Sequence, residues 1–423
     1  MGRPASLAGD DKLIYVDEWV VTRVQNFNYE PQFTTEDTRE LGNSGIVETI
    51  VDPYIPTSIS MTVNDWGSVD LLSQLMGSSA SGDALYSGAT ADRNTFTVDQ
   101  DDLKTQRINL LQKVRDNTIS TTTLDRTVWF PNCYIDSMSF SYSVDGLAQH
   151  TFNFMSDTER HFIHDYRDAK VTIGTYASSS TFTTTVTEAT DNYLELYAVI
   201  NGVIYDATTY ITSWTGTTCT VTGVTLADGD QISLVYYVAT PGNYSNLDSA
   251  VIGGIKGAYV VMGLTYAAVT AGTTKSLRVQ SCNIDVQVNR EEDKELGTQG
   301  VIGRTVRYPI EVTVSVTVNE NDLKDFVERA NGGTFADKDE ISVSDLLAKD
   351  NNLGIGVYDD HTQTNLLYTL DIEDMRVTGR GATQDVDSRG QVTWTYRADN
   401  FSFDGNEDIG RLATAYPSDW PTT

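Results

Sequence analysis

The sequence predicts a mainly β protein with two tandem domains of β-barrel or β-sandwich type, each with one short packed helix, and a smaller β-sandwich inserted between them. Three observations predict this fold: a long internal repeat, strand-like alternation of polar and apolar residues inside each repeat, and a different β-rich segment between the repeats. The length of 423 residues allows two to four domains. We place the domains at 1–169, 170–245 and 246–423.

The internal repeat aligns more than forty positions without a gap, at a constant offset of 255 residues. It resumes where 134–140 matches 371–377 and 149–157 matches 391–399, with a turn five residues longer in the second repeat. Unrelated segments do not keep one register over such a length, so we interpret the repeat as a duplication. The gapless matches are RVQNFNYE at 23–30 with RVQSCNID at 278–285, EDTRELGNSGIV at 36–47 with EEDKELGTQGVI at 291–302, and SISMTVND at 58–65 with TVSVTVNE at 313–320.

Each repeat reads as strands with one helix. The alternating segments around 58–65 and 313–320 predict long strands, and Asp145-Gly146 predicts the turn of a later hairpin. GSVDLLSQLMG at 67–77 and NDLKDFVERANG at 321–332 place apolar residues on one helical face and stop at a glycine. We therefore expect one short helix packed on the sheet of each repeat.

The segment between the repeats, 170–243, has a different character. Short alternating strands are separated by turn signals at Asn201-Gly202 and Asp228-Gly229-Asp230. Segments rich in glycine and serine, which are typical of loops, flank it on both sides. This pattern predicts a small Ig-like β-sandwich inserted as a module.

The strongly negative net charge limits the classes of function that the chain could have. Acidic residues outnumber basic ones by 59 to 29, which gives a net charge of −30, and the acids are spread along the whole chain. Such a surface repels DNA and anionic membranes and argues against a nucleic-acid-binding protein. It also suits a halophilic source, because concentrated salt screens the self-repulsion. With no run of eighteen apolar residues and no apolar leader, we expect neither a membrane-spanning helix nor a secretory signal.

The sequence offers little catalytic chemistry. Cys133, Cys219 and Cys282 are widely spaced and without a CxxC pair, so we expect buried thiols rather than disulfides or a zinc site. His161 and His164 have a spacing that two metal ligands could use, but no third ligand accompanies them. No phosphate-binding loop or nucleophile motif occurs. We therefore predict that the chain is not an enzyme and holds no metal or cofactor.

The repeated pattern RVQ(N/S)xN, then E(D/E)xx(R/K)ELGxxG(I/V), then SxTVN(D/E), then a helix, resembles the major tail tube proteins of tailed phages and archaeal tailed viruses. The resemblance covers both repeats. The segment between them, through VINGVIYD and LADGDQISLVYY, resembles modules of phage fibre and tube-decorating proteins, which usually face outward.

The resemblance implies a structural role. In that family a small β-barrel with a flanking helix forms rings that stack into the tube through which the genome is ejected, and members with two fused copies form trimeric, pseudo-hexameric rings. It implies that this chain binds other copies of itself and the terminator, tape measure and distal tail proteins. Viral DNA would pass through without specific binding, and the protein would be made in the host cytoplasm and located in the virion tail. An acidic channel that repels phosphates is then a second explanation of the net charge, beside halophily.

The resemblance also assigns candidate contacts between rings or subunits to the repeated ELGxxG loop. The alternative is that these loops serve the monomer fold alone. The segments 137–154 and 374–396 are candidates for channel lining. The assigned residues are Glu40, Leu41, Gly42, Gly45, Glu295, Leu296, Gly297 and Gly300.

Two other function classes stay open. The chain could be another ring-forming virion or secretion-tube component, such as a baseplate or terminator piece. It could also be a cell-surface or fibre adhesin, although an adhesin would be expected to repeat the middle module rather than the flanking units.

Overall fold

The computed structural model describes residues 12–17, 19–21, 23–33, 35–38, 46, 48–51, 55–65, 96–99, 107–115, 124–162, 168–175, 182–185, 194–206, 211–215, 218–221, 226–227, 230–238, 254–266, 279–296, 301, 303–319, 351–358, 366–383, 390–398 and 400–405. The predicted helices at 67–77 and 321–332 lie outside these residues. The described residues are almost all in β-strands and include no α-helix, only a short 3-10 helix at Gly257–Tyr259. The mainly β class is thereby confirmed.

The strands fall into three groups along the chain. The first repeat contributes Lys12–Val16 (β1), Trp19–Val21 (β2), Val24–Pro31 (β3), Thr35–Thr38 (β4), Glu48–Val51 (β5), Thr57–Asn64 (β6), Phe96–Asp99 (β7), Ile108–Arg115 (β8), Leu124–Ser143 (β9), Gln149–Ser156 (β10) and Arg160–Phe162 (β11). The middle segment contributes Asp168–Thr175 (β12), Phe182–Thr185 (β13), Leu194–Ile200 (β14), Val203–Asp206 (β15), Ile211–Thr215 (β16), Thr218–Val221 (β17) and Gln231–Val238 (β18). The second repeat contributes Val260–Tyr266 (β19), Val279–Gln287 (β20), Arg290–Asp293 (β21), Gly303–Val306 (β22), Glu311–Asn319 (β23), Asn351–Tyr358 (β24), Leu366–Thr383 (β25), Gln391–Ala398 (β26) and Asn400–Gly405 (β27).

Strands of both repeats join into one antiparallel sheet, in the order β3-β6-β10-β9-β20-β23-β26-β25, which we call the main sheet. The N-terminal half of β9 leaves it to pair with β8 and β11, and β1 extends from β8. The N-terminal half of β25 leaves it in the same way to pair with β24 and β27, and β19 extends from β24. Each long strand therefore links the main sheet to an outer sheet.

The long strands bend at matching positions. Asn132 in β9 has a φ of 51° and Asp374 in β25 has a φ of 55°. The pairing with β8 and with β24 shifts register beside both residues. Asn and Asp are the non-glycine residues that best tolerate a left-handed conformation, so each forms a bulge that turns the strand from one sheet into the other.

The strand pairings of the first repeat recur in the second. Thr35 pairs with Val51 and Arg290 pairs with Val306, so the two hairpins match at an offset of 255. We call positions related in this way equivalent. The order β3-β6-β10-β9 likewise recurs as β20-β23-β26-β25.

Beyond the long strands the offset is 242. His150 lies opposite Phe140, and Val392 lies opposite Ala382. The sequence match of 149–157 to 391–399 has this offset.

The sequence match of 134–140 to 371–377 was wrong. The pairing registers make 134–140 equivalent to 376–382, five residues further on. The similarity of YIDSMSF to DIEDMRV misled the alignment because both segments alternate polar and apolar residues, a pattern that fits several registers of a strand.

Buried side chains of the main sheet and of the outer sheets form one hydrophobic core. Side chains in β6 alternate strictly between buried and partly exposed, and those in β23 do the same after the exposed Glu311. Burial of a side chain such as Phe140 contributes about 1.5–3 kcal/mol to folding. Cys133 and Cys282 are free and buried in this core, as predicted. Its large members include Phe130, Phe140, Phe152, Phe154, Tyr368, Trp394 and Tyr396.

The middle segment forms its own sheets. One has the order β12-β18-β14-β15 and the other β13-β17-β16. Asn201 and Gly202, with φ angles of 48° and 88°, make the two-residue turn between β14 and β15 that the sequence predicts. The predicted turn at Asp145-Gly146 is different, because pairing of β9 with β10 stops at Ser141 and Gln149 and leaves a longer connection.

Candidate self-association surface: the edges of the main sheet

The two repeats meet inside the chain through a continuous strand pair. β9 and β20 pair antiparallel over seven positions. The Ser141 hydroxyl donates to Asn283 Oδ1 at 2.8 Å, and the Val288 N–H donates to the Asp136 carbonyl at 2.8 Å. We call this contact the internal junction. It joins β9, at one end of the set β3-β6-β10-β9, to β20, at one end of the set β20-β23-β26-β25.

The ends of the main sheet repeat the two edges that the internal junction joins. β3 pairs with β6, and β25 beyond its bend pairs with β26; within the described residues no strand covers the other side of either. β3 is equivalent to β20, and β25 is equivalent to β9. An uncovered strand edge offers backbone N–H and C=O groups to another chain. The strand pair β9–β20 is thus formed inside the molecule. The equivalent strands β25 and β3 lie at opposite ends of the main sheet and are not paired with each other.

Side-chain exposure follows the same division. Val288, beside the internal junction, is 0% exposed, whereas the equivalent Phe33 is 69% exposed. Phe140 in β9 is buried, whereas the equivalent Ala382 in β25 is exposed. Apolar side chains at both ends of the sheet therefore lie where the internal junction buries their counterparts.

The hairpin β21–β22 packs across the internal junction. Its Arg304 is buried, pairs with Asp157 Oδ1 at 3.1 Å and with Glu292 Oε1 at 3.4 Å, and donates to the Met155 carbonyl at 3.1 Å. A buried guanidinium without a counter-ion would be costly. Asp157 and the Met155 carbonyl therefore hold the hairpin to the first repeat, while Glu292 neutralises Arg304 from within the hairpin.

A second arginine of the same hairpin packs on an aromatic ring of the first repeat. The guanidinium carbon of Arg290 lies 4.9 Å from the centre of the Tyr134 ring, and that of Arg304 lies 5.5 Å from it. Arg290 Nε donates to the Ile135 carbonyl at 3.1 Å. Burial lowers the pKa of Arg290 to about 10. Burial also raises the pKa of Asp136, and the two arginines oppose that rise.

A buried polar network also crosses between the repeats. The Tyr368 hydroxyl donates to Asp65 Oδ2 at 2.5 Å and lies 3.2 Å from the Tyr142 hydroxyl, and His150 Nε2 lies 3.5 Å from the same Asp65 oxygen. Burial, and next the Asp65 charge, raise the pKa of both tyrosines. Burial lowers the pKa of His150 although Asp65 opposes it. Sequence reasoning missed this network, because its members are distant from one another in the chain.

The face of the main sheet turned away from the core carries mainly hydroxyl and amide side chains. Cross-strand pairs link Thr62 to Thr151 at 3.1 Å and Thr317 to Thr393 at 3.0 Å. Its described charged residues are of both signs, so the net charge of −30 is not concentrated there. They are Glu30, Asp285, Glu311, Arg376 and Arg397.

Of the residues assigned to ring contacts, the structure describes two. Glu295 is exposed and Leu296 is fully exposed, just beyond the end of hairpin β21–β22. The other six, Glu40, Leu41, Gly42, Gly45, Gly297 and Gly300, lie outside the described residues, so the role of the loops stays a prediction.

The described residues contain neither a membrane-spanning helix nor a metal site, and the sequence matches no known family in the comparisons made. Within the described ranges, no helix is long and apolar enough to cross a bilayer, and no group of three or more His, Cys, Asp or Glu side chains could hold a metal ion. Neither the comparison with protein-family models nor that with curated proteins yields a match.

Proposed function

We propose that this chain is a structural subunit of a viral tail tube, which assembles head to tail into rings that stack around a channel for genome ejection. The observation that supports it most is the relation between the internal junction and the two ends of the main sheet. If the β25 edge of one copy pairs with β3 of the next as β9 pairs with β20, both open edges of the main sheet are covered and each subunit joint repeats the internal one. A heterologous contact of this kind closes into a ring when its rotation divides evenly into a full turn, which is the arrangement we propose.

The ring we propose is a homotrimer with pseudo-sixfold symmetry, since each chain supplies two equivalent sets of strands. In this proposal the chain comprises two tube domains, 1–169 and 246–423, each with its short helix, and an outward-facing Ig-like module at 170–245. The role of the chain is structural, not enzymatic.

The polar face of the main sheet is the proposed channel wall. Hydroxyl and amide side chains hydrogen-bond water and one another. Among the described residues of this face, the cations that could hold phosphates are Arg376 and Arg397, at one end of the sheet. DNA could therefore slide along a hydrated wall without being bound. The overall acidity then belongs to other surfaces and fits a halophilic virus, in which salt screens repulsion between subunits.

The remaining partners and the location follow from the same role. The ends of such a tube would contact the terminator and distal tail proteins, and the tape measure protein would occupy the channel during assembly. The protein would be made in the host cytoplasm and reside in the virion tail.

Electron microscopy of the purified chain at low and high salt, with particle mass from light scattering, tests the proposal. We expect hollow tubes, or rings with the mass of about three chains. Rings of six chains would keep the tube but contradict the pseudo-hexamer, and chains that stay monomeric at every salt concentration would contradict self-assembly altogether. Closed single rings that never stack would favour a baseplate or terminator component.

A further inference from the structure

We propose that the joint between two copies is specified by charge with the sign reversed from the internal junction: Arg376 and Arg397 at the β25–β26 end of one copy bind the acidic face of hairpin β4–β5, at Asp37, on the next. The inference rests on the proposed function, because it presumes that the two open edges pair with each other. It adds the residues that decide which edge meets which.

The internal junction provides the template. There the cations come from the hairpin, as Arg290 and Arg304, and the acids come from the sheet that receives it, as Asp136 and Asp157. Arg304 lies over the ring of Tyr134, within reach of both β9 and β10.

Hairpin β21–β22 packs on strands β9 and β10, which we call the receiving edge of the internal junction. The pairing registers give the equivalent positions on β25 and β26, the receiving edge at the end of the main sheet. An offset of 242 relates Tyr134 to Arg376, and Met155 to Arg397. Arg376 and Arg397 lie directly opposite each other on β25 and β26, and both are exposed. The receiving edge that carries a tyrosine and a methionine inside the chain therefore carries two arginines at its end.

Hairpin β4–β5, which would pack on this edge from the next copy, lacks the cations that hairpin β21–β22 carries. An offset of 255 relates Arg290 to Thr35, Arg304 to Thr49, and Glu292 to Asp37. Asp37 keeps its charge, is exposed, and accepts a hydrogen bond from Thr49 Oγ1 at 2.8 Å. The hairpin thus loses both cations and retains an acid on the face that would meet the arginines.

If the joint between copies follows the internal junction, a guanidinium lies beside the same carboxylate position in both. Inside the chain Arg304 of the hairpin reaches Glu292 of its own hairpin. Between copies Arg376 of the sheet would reach Asp37 of the neighbour's hairpin. The planar fork of arginine suits a carboxylate at such a contact.

The reversal gives specificity as well as attraction. Hairpin β21–β22 on the β25–β26 end would bring four arginines together around the single carboxylate of Glu292. Hairpin β4–β5 on the β9–β10 end would bring Asp37 toward Asp136 and Asp157. Both wrong combinations bring like charges together, which is how interfaces reject an incorrect partner. Only the alternating order of repeats around the ring satisfies both junctions.

Charge reversal on each side, separately and together, tests the inference. We expect Arg376→Glu and Asp37→Arg each to weaken association at least about tenfold in a dilution series followed by sedimentation velocity. The chain carrying both changes should regain most of the lost association, because each joint again meets opposite charges. Arg307→Glu changes the net charge by the same amount as Arg376→Glu, at an exposed position paired with Glu291. It is the matched control for that variant and should leave association unchanged.

The outcomes separate this inference from the proposed function. If the wild-type chain assembles but Arg376→Glu and Asp37→Arg behave like Arg307→Glu, or the combined variant is no better than the single ones, the charge code is overturned and the ring stands. If the wild-type chain never assembles, the proposed function fails and takes this inference with it.

Discussion

At single positions, the same place in the two repeats often carries side chains of different character, and the difference follows what lies beside each. Val288 is buried beside the internal junction, whereas its equivalent Phe33 projects into solvent at the end of the sheet. His150 faces Asp65 and Tyr368, whereas its equivalent Val392 lies in the apolar core. Duplicated positions have thus been adapted to a covered or an open environment.

Phe33 gives the first prediction. Phe33→Ala should change the stability of the single chain by no more than about 0.5 kcal/mol, because the side chain is exposed, but should weaken association of copies. Val288→Ala, at the equivalent covered position, should cost roughly 2 kcal/mol of folding stability. Urea unfolding of the monomer and sedimentation of the assembly measure the two effects. A large loss of monomer stability in Phe33→Ala would show that the residue packs within its own chain.

His150 gives a prediction on pH. Burial lowers its pKa below the ordinary value of 6.5, so the unfolded chain binds a proton there at a higher pH than the folded chain does. This contribution to stability is present above about pH 6.5 and is lost as the pH falls below it. His150→Asn should therefore flatten the decline in the urea midpoint between about pH 7 and pH 5 relative to wild type. Exposed His161 supplies the control, His161→Asn, and an unchanged slope in His150→Asn would refute the assignment.

At the scale of elements, the long strands are the feature on which the architecture depends. β9 and β25 each belong to two sheets, and each changes sheet at one residue in the left-handed conformation. The side chain of Asn132 also donates to Asp157, whereas the backbone N–H of Asp374 donates to Asn352 Oδ1. The bend in the first repeat is thus tied to the strand that follows, and the bend in the second to a neighbouring strand.

The bend at Asp374 can be tested directly. Asp374→Val should destabilise the chain by about 1–2 kcal/mol, since a β-branched residue is disfavoured at a φ of 55°. Asp374→Gly, which adopts this conformation freely, should stay within about 0.5 kcal/mol of wild type. Equal urea midpoints for the two variants would mean that the bend does not depend on this conformation.

At the scale of the whole molecule, the described part of the main sheet has an open strand edge at each end, to which a further copy of the chain could pair. Two equivalent sets of strands are joined side by side in one sheet, and the joint can be repeated at either end. Each further copy would cover one edge and present another, until the series closes on itself. A sheet of this kind with one polar face is suited to line a channel.

The channel wall yields the last prediction, which rests on the proposed function. Ser60 and Ser315 are equivalent, partly exposed residues on the polar face of β6 and β23. Tubes of the wild-type chain should not bind double-stranded DNA, whereas tubes of Ser60→Lys/Ser315→Lys should bind it with an affinity that falls steeply with salt. Fluorescence anisotropy of labelled DNA measures both. If the lysine variant also fails to bind, the polar face does not line a space that DNA can enter.

The sequence by itself determined the class of the fold and its repeated plan. Strict alternation of polar and apolar residues in segments such as 58–65 and 313–320 lets a strand bury only one face. Because the repeat has a gapless offset of 255, the same strands were expected in both halves of the chain. It also predicted the turn at Asn201-Gly202 and the burial of Cys133 and Cys282, because short turns and apolar strand positions are local properties.

Only the tertiary structure decided which strands meet. Strand alternation has a period of two and fits several registers, so the sequence misaligned 134–140, and only hydrogen-bonded pairing fixed the offset of 242. The partnership of β9 with β20, the contact of Arg304 with Asp157 and the Asp65–His150–Tyr368 network join residues far apart in the chain. Such contacts depend on how sheets are arranged in space, and so the main sheet's open edges, on which the proposed assembly rests, were visible only in the structure.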